Sequence, residues 1–161
     1  MLLCGLRDLA VLRESRGESD LEIAAVVTVS DDGGSSGKLR QDFDILAPGD
    51  IRNCMVALAE DRALLSQLFQ YRFASGEGLE GHSFGNLFLA ALTEVTGGFH
   101  QAIQLSSEVL AIRGRIFPST LTNVTLEAEL GSGRQMGANR RSAMPRTRLR
   151  VRGPRKCTSA T

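Results

Sequence analysis

The arrangement of apolar residues along the chain predicts both strands and helices. Residues 21–30 contain an almost unbroken apolar run, which predicts a strand covered on both faces, as in a parallel sheet. Residues 124–130 alternate apolar and polar positions, which is the period of a half-buried strand. The chain therefore carries two predicted strands that are far apart in sequence.

Helical spacing of apolar residues predicts five helices around these strands. The predicted helices span residues 2–14, 51–60, 64–69, 84–95 and 99–110. Asp50 is a candidate N-cap for the second helix, and Gly97-Gly98 is expected to end the fourth. The order of helix, strand, several helices and strand predicts an α/β fold, with fewer recognisable strands than a doubly wound sheet needs.

The segment between the first predicted strand and the second helix has the composition of a ligand-binding loop. Residues 28–40 read Thr-Val-Ser-Asp-Asp-Gly-Gly-Ser-Ser-Gly-Lys-Leu-Arg. In open α/β sheets ligands bind beyond the carboxyl ends of the strands, where glycines admit close backbone approach and successive N–H groups can hold an anion. The spacing is not that of a Walker P-loop, but the loop still predicts phosphate or nucleotide chemistry.

The side chains of this loop suit different parts of a nucleotide. Asp31 and Asp32 could orient a sugar hydroxyl, bind Mg²⁺ or act as a base, or they could only cap backbone N–H groups. The glycine N–H groups and serine hydroxyls suit phosphate oxygens, and two cations could neutralise a diphosphate. These residues are Gly33, Gly34, Ser35, Ser36, Lys38 and Arg40.

Two further polar clusters stand at predicted helix starts. Asp50, Arg52 and Asn53 open the second helix, whose N-terminus attracts anions, although Asp50 could serve only as the cap. His82 and Asn86 lie one turn apart at the start of the fourth helix. His82 could be a ligand donor or a general acid or base, or it could cap or pack against the helix.

Composition is that of an ordinary globular domain. The 161 residues are 42% hydrophobic and 23% charged, and no apolar run approaches the about 20 residues of a membrane span. The N-terminus lacks the pattern of a secretory signal. Cys4, Cys54 and Cys157 are widely spaced, which fits a reducing cytoplasm and suggests neither a disulfide framework nor a zinc site.

Charge is unevenly distributed, although the formal net charge is +1. Residues 1–130 hold all 18 acidic residues, whereas residues 131–161 hold nine of the 19 basic residues and no acid. A basic tail could bind nucleic acid or an acidic membrane surface. It contains no aromatic residue for base stacking, however, so disorder is the simpler interpretation.

Five motifs together resemble the bacterial gluconeogenesis factor family, which is similar to the 2-phospho-lactate transferases of coenzyme F420 synthesis. These motifs are residues 28–40, 48–53, 68–73, 81–87 and 109–114. The resemblance extends over residues 2–133 with few gaps. It implies a Rossmann-like α/β fold, in which a parallel sheet, incomplete here, is flanked by helices.

The resemblance also implies a function and a set of binding residues. It implies a cytoplasmic regulator that binds a UDP-sugar, such as UDP-N-acetylglucosamine or UDP-glucose, and supports cell shape and wall synthesis on gluconeogenic carbon sources. The ligand-site candidates it carries over are Asp31, Asp32, Gly33, Gly34, Ser35, Asp50, Arg52, Asn53, His82 and Asn86. The transferase branch would instead imply GDP-linked phospholactate transfer with Mg²⁺. A homo-oligomer is left open.

The chain departs from the family pattern at both ends. Family members begin with a strand and a Gly-Gly-Gly-Thr-Gly loop, whereas this chain begins within the helix that follows, so the first phosphate loop is expected to be absent. After residue 133 the resemblance stops, and the abrupt gain of arginine indicates a reading-frame shift. We therefore expect a partial nucleotide-sugar-binding domain over residues 1–133 and a disordered tail over residues 134–161.

Overall fold

The computed structural model of the chain describes residues 2–60, 64–130, 135–137 and 147–152. Six helices and five strands lie within these described residues. In chain order they are α1 (Leu2–Ser15), β1 (Ala24–Val27), α2 (Gly34–Phe43), α3 (Gly49–Leu58), α4 (Leu64–Gln70), α5 (Phe84–Thr96), α6 (Phe99–Val109), β2 (Arg115–Pro118), β3 (Thr125–Leu130), β4 (Gln135–Gly137) and β5 (Thr147–Arg152). The five helices predicted from apolar spacing are confirmed, with ends that shift by a few residues.

A parallel pair of strands lies at the centre of the α/β architecture. β1 pairs with β2 in the register that sets Ala25 opposite Ile116 and Val27 opposite Pro118. The chain between the two strands contains α2 to α6, as a parallel connection requires. The predicted α/β class is confirmed, although β2 is too short to give a periodic signal and is absent from the sequence prediction.

The helices cover one face of this strand pair and leave the other exposed. Along β1, Ala25 and Val27 are buried, whereas Val26 remains 75% exposed. The prediction that both faces of this strand are covered is therefore wrong for the described residues. The apolar run reports that the strand can be buried on both faces, but only the packing partners decide whether it is.

The core forms mainly around α3. Ile51, Met55 and Leu58 of this helix are fully buried, as is Phe69 of α4. The ring of Phe69 packs against Phe88 of α5, with 5.0 Å between the ring centroids. Burying aromatic and aliphatic side chains supplies most of the favourable free energy of such a core, so α3 is held between the strand pair and α4–α5.

Two helix starts differ from the sequence prediction. α2 begins at Gly34, so the second half of the predicted Gly/Ser loop is helical. The carboxylate of Asp31 accepts the N–H of Gly33 at 3.0 Å, and the carbonyl of Gly33 accepts the N–H of Gly37 at 3.1 Å, which turns the chain into the helix. Gly34 has a φ of 50°, a value that favours glycine.

The start of α3 also differs by one position. Its N-cap is Pro48, so Asp50 is not the cap but lies within the first turn. A carboxylate there still interacts favourably with the helix dipole.

A second, antiparallel sheet follows the strand pair. β3 confirms the strand predicted over residues 124–130, and it pairs with β4 on one side and β5 on the other. β4 and β5 fall within the segment 134–161, for which the composition predicts disorder. Its other residues lie outside the described ones, and the division of the chain at residue 133 stays a prediction.

The approach of α5 to its neighbours makes a testable demand on Gly85. A Cβ atom at this position would lie 2.7 Å from the Phe69 carbonyl oxygen and 2.8 Å from Cδ of Arg52. We expect Gly85→Ala to lower the free energy of unfolding by about 1–3 kcal/mol, because overpacking forces neighbours apart. Urea unfolding measures this change.

Gly5→Ala is the matched control. Gly5 is an exposed residue of α1, and nothing lies within 4 Å of a Cβ placed there. This substitution should raise the free energy of unfolding by about 0.5–1 kcal/mol, because alanine is the better helix former. If Gly85→Ala were as stable as Gly5→Ala, the close approach of α5 would be contradicted.

Candidate functional site

The first turns of α2, α3 and α5 meet beyond the carboxyl end of β1. Nδ2 of Asn86 on α5 lies 3.2 Å from Oγ of Ser35 and 3.4 Å from Oγ of Ser36, both on α2. A Cβ atom at Gly49 on α3 would lie 2.5 Å from Oγ of Ser36. Each helix N-terminus carries a partial positive charge of about half a unit and unpaired N–H groups. The meeting point therefore favours an anion.

A buried hydrogen-bond network connects these helix starts. We call Ser35, Ser36, His82 and Asn86 the Ser–His–Asn cluster, and each of the four is at most 5% exposed. Nδ1 of His82 lies 3.0 Å from Oγ of Ser35. Because Asn86 donates to Ser35, the hydroxyl of Ser35 can donate onward to Nδ1, an arrangement consistent with the imidazole proton on Nε2. The hydroxyl of Ser35 is thus held between the amide of Asn86 and the imidazole of His82.

The start of α5 is fixed by a residue that the sequence analysis did not single out. Oγ of Ser83 accepts the backbone N–H of Asn86 at 3.3 Å and so caps the helix. Capping by Ser83 removes that role from His82, whose side chain faces Ser35 instead. The serine before an apolar helical run was a usable signal for this cap.

Two buried polar atoms at this meeting point have no hydrogen-bond partner among the residues that the structure describes. They are Oδ1 of Asn86, on a side chain of a residue only 2% exposed, and Nε of Arg52. Leaving a buried donor or acceptor unpaired costs about 1–3 kcal/mol each. One is an acceptor and the other a cationic donor, so a bound molecule with both hydroxyl and anionic groups could satisfy them.

Arg52 lies between α3, α4 and α5. Its Nη1 donates to the carbonyl of Phe69 at 3.4 Å, and its Nη2 donates to Oδ1 of Asn53 at 2.7 Å. Burial lowers the pKa of Arg52, the nearby cation of Arg72 lowers it further, and the carboxylate of Asp50 opposes both. The charged form of the Arg52 guanidinium is therefore less favourable in this position than it would be in water.

Exposed groups form a rim above the buried cluster. Asp31 and Lys38 are exposed, and Asp50 is half-buried. The hydroxyl of Thr28 lies 3.4 Å from a carboxylate oxygen of Asp50, which brings the end of β1 beside the first turn of α3. The rim therefore offers acceptors for hydroxyl groups and one cation for a phosphate.

Asp32 and Arg40, both predicted as ligand groups, are engaged with each other. Arg40 is 7% exposed and forms an ion pair with the carboxylate of Asp32. It also donates to Oδ1 of Asn123 at 2.8 Å and to the carbonyl of Val124 at 2.5 Å. Arg40 thus connects α2 to the segment before β3, and it is not positioned to neutralise a diphosphate.

Asn53 is the predicted residue that lies apart from the others. It is exposed and borders a separate cavity between α1, α3 and α4. Its amide oxygen accepts a hydrogen bond from Arg52. The structure therefore brings together His82, Asn86, Ser35 and Ser36. Asp31 lies just before α2, Lys38 lies exposed in the second turn of α2, and Asp50 lies in the first turn of α3, whereas Asn53 is separate.

Within the described part of the chain, no group of three or more His, Cys, Asp or Glu residues is arranged to hold a metal ion. Among the same residues, no helix combines the length and the apolar character that crossing a membrane would take.

The parallel strand pair, the helices packed on it and the helix starts gathered beyond β1 define a Rossmann-like α/β protein. The family model described as 2-phospho-L-lactate transferase CofD matches residues 1–155. The chain belongs to this CofD family.

Relatives of known name support this membership. A protein of Nostoc sp. is 60% identical over 114 residues, which cover 71% of this chain and 25% of that protein. The gluconeogenesis factor of Halalkalibacterium halodurans is 49% identical, covering 78% of this chain and 39% of its own length. The gluconeogenesis factor of Bacillus subtilis is 48% identical, with coverage of 78% and 40%. The chain thus spans a quarter to two-fifths of these relatives.

A solved structure shows the same fold. The crystal structure of a Bacillus halodurans protein matches this chain with a TM-score of 0.75 and 46% sequence identity. The match covers 84% of this chain and 40% of that protein. A second crystal structure of the Bacillus halodurans protein, described as a member of the UPF0052 family, matches this chain with a TM-score of 0.74. The expected family and the expected Rossmann-like fold are confirmed.

The role of Arg40 as a connector can be tested by a conservative change. We expect Arg40→Lys to lower the free energy of unfolding by about 1–3 kcal/mol, because an ammonium cannot serve Asp32, Asn123 and a carbonyl in one planar fork. Arg115→Lys is the control, since Arg115 is 68% exposed in its pair with Glu22. It should change stability by less than about 0.5 kcal/mol. Equal losses in urea unfolding would contradict the connector role.

Proposed function

We propose that this chain contributes part of a nucleotide-sugar binding site, and that it acts by binding, as a regulator of the gluconeogenesis-factor type. The observation that carries the proposal is the meeting of three helix starts around Asn86, whose buried amide oxygen has no partner in the described part of the chain. Partial positive charge at helix N-termini stabilises phosphate groups, and this is a recurrent way of holding nucleotides.

Different polar groups around the helix starts would contact different parts of the ligand. The diphosphate would lie against the first turns of α2 and α3, with Lys38 as the exposed cation. The carboxylates of Asp31 and Asp50 would accept hydroxyl groups of the ribose or the sugar. The Ser–His–Asn cluster below would orient the first turns, and Oδ1 of Asn86 would accept a further ligand hydroxyl.

The identity and setting of the ligand come from the family resemblance. We propose UDP-N-acetylglucosamine or UDP-glucose as the ligand, in a cytoplasmic protein that supports cell shape and wall synthesis on gluconeogenic carbon sources. The curated relatives named above are called gluconeogenesis factors, which supports this part of the proposal. A homo-oligomeric state belongs to the same proposal.

Isothermal titration with UDP-N-acetylglucosamine and with UDP-glucose tests the binding, on the chain extended at its N-terminus by the family's first strand and Gly-Gly-Gly-Thr-Gly loop, because the proposed site is shared with that loop. We expect measurable heat from at least one of them. Lys38→Gln should weaken that binding about ten-fold, because it removes one charge-assisted contact of about 1.4 kcal/mol from an exposed position that the fold does not need. Ser35→Ala should weaken it as well, by releasing His82 and Asn86 from their shared partner.

Ser107→Ala is the matched control for Ser35→Ala. The hydroxyl of Ser107 bonds only to the carbonyl of Ile103 within its own helix, among the contacts that the structure describes. It should leave the binding unchanged, and thermal unfolding shows whether each variant is folded. Absence of heat with both UDP-sugars, or equal weakening by the two serine variants, would contradict the proposal.

A transferase is the second candidate, because the matching family model carries the name of 2-phospho-L-lactate transferase. Mg²⁺ usually binds through one or two carboxylates together with substrate phosphates. Asp31 and Asp50 fit that role, whereas the carboxylate of Asp32 is held by Arg40. Turnover of a GDP-linked phospholactate donor in the presence of Mg²⁺, lost in Asp31→Asn with binding retained, would favour the enzyme over the regulator.

A further inference from the structure

A cavity with several polar side chains lies between α1, α3 and α4, away from the Ser–His–Asn cluster. We call it the α1–α4 cavity, and its polar lining residues are Cys4, Arg7, Asn53, Ser66 and Gln70. Its volume is about 370 Å³. Cavities of a few hundred cubic ångströms hold small molecules in proteins of known function, so this cavity has room for a small metabolite but not for a whole nucleotide-sugar.

The only charged side chain on the lining described for this cavity is Arg7, which is 3% exposed. Its Nη1 donates to the carbonyl of Ala59 at 3.1 Å, and its Nε and Nη2 donate to Oδ1 of Asp8 at 3.2 and 2.8 Å. A guanidinium has five N–H donors, so these bonds do not use all of them. A buried cation is costly unless anionic or acceptor groups surround it.

The compensating acids lie on the opposite side of Arg7. Asp8 and Glu60 line a neighbouring cavity that shares Arg7, and Glu60 is already paired with Arg113 at 2.6 Å. No acidic residue lines the α1–α4 cavity in the described part of the chain. A molecule in the cavity would therefore face the guanidinium of Arg7 from the side opposite its ion pair with Asp8.

Asn53 adds hydrogen-bond donors to the same cavity. Its amide oxygen accepts Nη2 of Arg52 at 2.7 Å, so what Asn53 retains for a ligand is its NH₂ group. Arg52, 8% exposed, does not line the cavity but polarises that amide through the bond. The cavity thus offers amide donors and the guanidinium of Arg7, groups that can donate hydrogen bonds to an anion.

We propose that the α1–α4 cavity is a second anion-binding site, which takes a small molecule carrying a phosphate or carboxylate group. This site is spatially separate from the nucleotide-sugar site, and Arg52 connects the two, because its guanidinium bonds to Asn53 and its Cδ approaches Gly85 at the start of α5. An anion in the cavity would draw on Asn53 and Arg52 and could thereby change the position of α5.

Two glutamines on α4 provide a matched test. Gln67 and Gln70 are both exposed, but only Gln70 lines the cavity. Titration of the chain with inorganic phosphate, and in a separate arm with malonate, should give binding in at least one arm. Gln70→Glu should weaken it about ten-fold, because a carboxylate at the cavity mouth repels the anion, with partial screening by solvent. Gln67→Glu should leave the binding unchanged.

Cysteine alkylation locates the anion within the molecule. Cys4 lines the cavity, whereas Cys54 does not, and burial together with Asp50 raises the pKa of Cys54 and makes it a slow internal reference. In a Cys157→Ser background, phosphate or malonate should slow the iodoacetamide reaction of Cys4 several-fold and leave the rate of Cys54 unchanged. A general salt effect would change the reaction rates of both cysteines, whereas an anion bound in the cavity slows only the reaction of Cys4.

Specific outcomes would overturn this inference. It fails if neither anion protects Cys4, or if Gln67→Glu and Gln70→Glu weaken binding equally. Protection of Cys4 that disappears in Lys38→Gln would assign the anion to the helix starts instead, and would also overturn the second site. Loss of UDP-sugar binding with retained protection of Cys4 would contradict only the nucleotide-sugar proposal.

Discussion

The close approach of α2, α3 and α5 at their first turns is the constraint on which the rest of this structure depends. Three helix N-termini carry partial positive charges, so bringing them together is electrostatically unfavourable unless acceptors or anions lie between them. Glycine at positions 49 and 85 allows the backbones to come this close. The Ser–His–Asn cluster then joins the helix starts by hydrogen bonds, yet it leaves an acceptor on Asn86 unused. Packing thus leaves one buried acceptor without a partner in the described part of the chain, and this is the reason for the proposal that a ligand binds there.

Buried arginines perform a related task elsewhere in the molecule. Arg7 and Arg52 each donate to a backbone carbonyl at the end of a helix, namely those of Ala59 and Phe69, and Arg40 donates to the carbonyl of Val124 just before β3. The last carbonyls of a helix have no partner within the helix, and a planar guanidinium can serve such a carbonyl and a side chain together. These side chains hold the ends of the helices in place. The guanidinium of Arg7 also lines the α1–α4 cavity, and Arg52 approaches Gly85 at the start of α5. Structural support and the proposed anion recognition therefore share Arg7 and Arg52.

The helices could be predicted from sequence because their apolar spacing is a local property. The strand β3 could be predicted for the same reason. β2 could not, because four residues ending in proline carry too short a pattern, and its partner β1 lies about ninety residues away in the chain. The second half of the Gly/Ser segment was predicted as a loop from its composition, but bonds at Asp31 and Gly33 turn it into the start of α2.

The sequence by itself determined which chemical groups stand at the element starts: carboxylates and glycines after β1, Asp50 and Arg52 on α3, and His82 and Asn86 around the start of α5. Only the tertiary structure decided which of these groups meet. Ser35 and His82 are 47 positions apart and share a hydrogen bond, whereas Arg40 is turned to Asp32 and Asn123, and Asn53 borders a different cavity. The reason is physical: spacing along a helix sets the face of each side chain, but contact between faces depends on how closely the helices pack, and here that depends on Gly49 and Gly85.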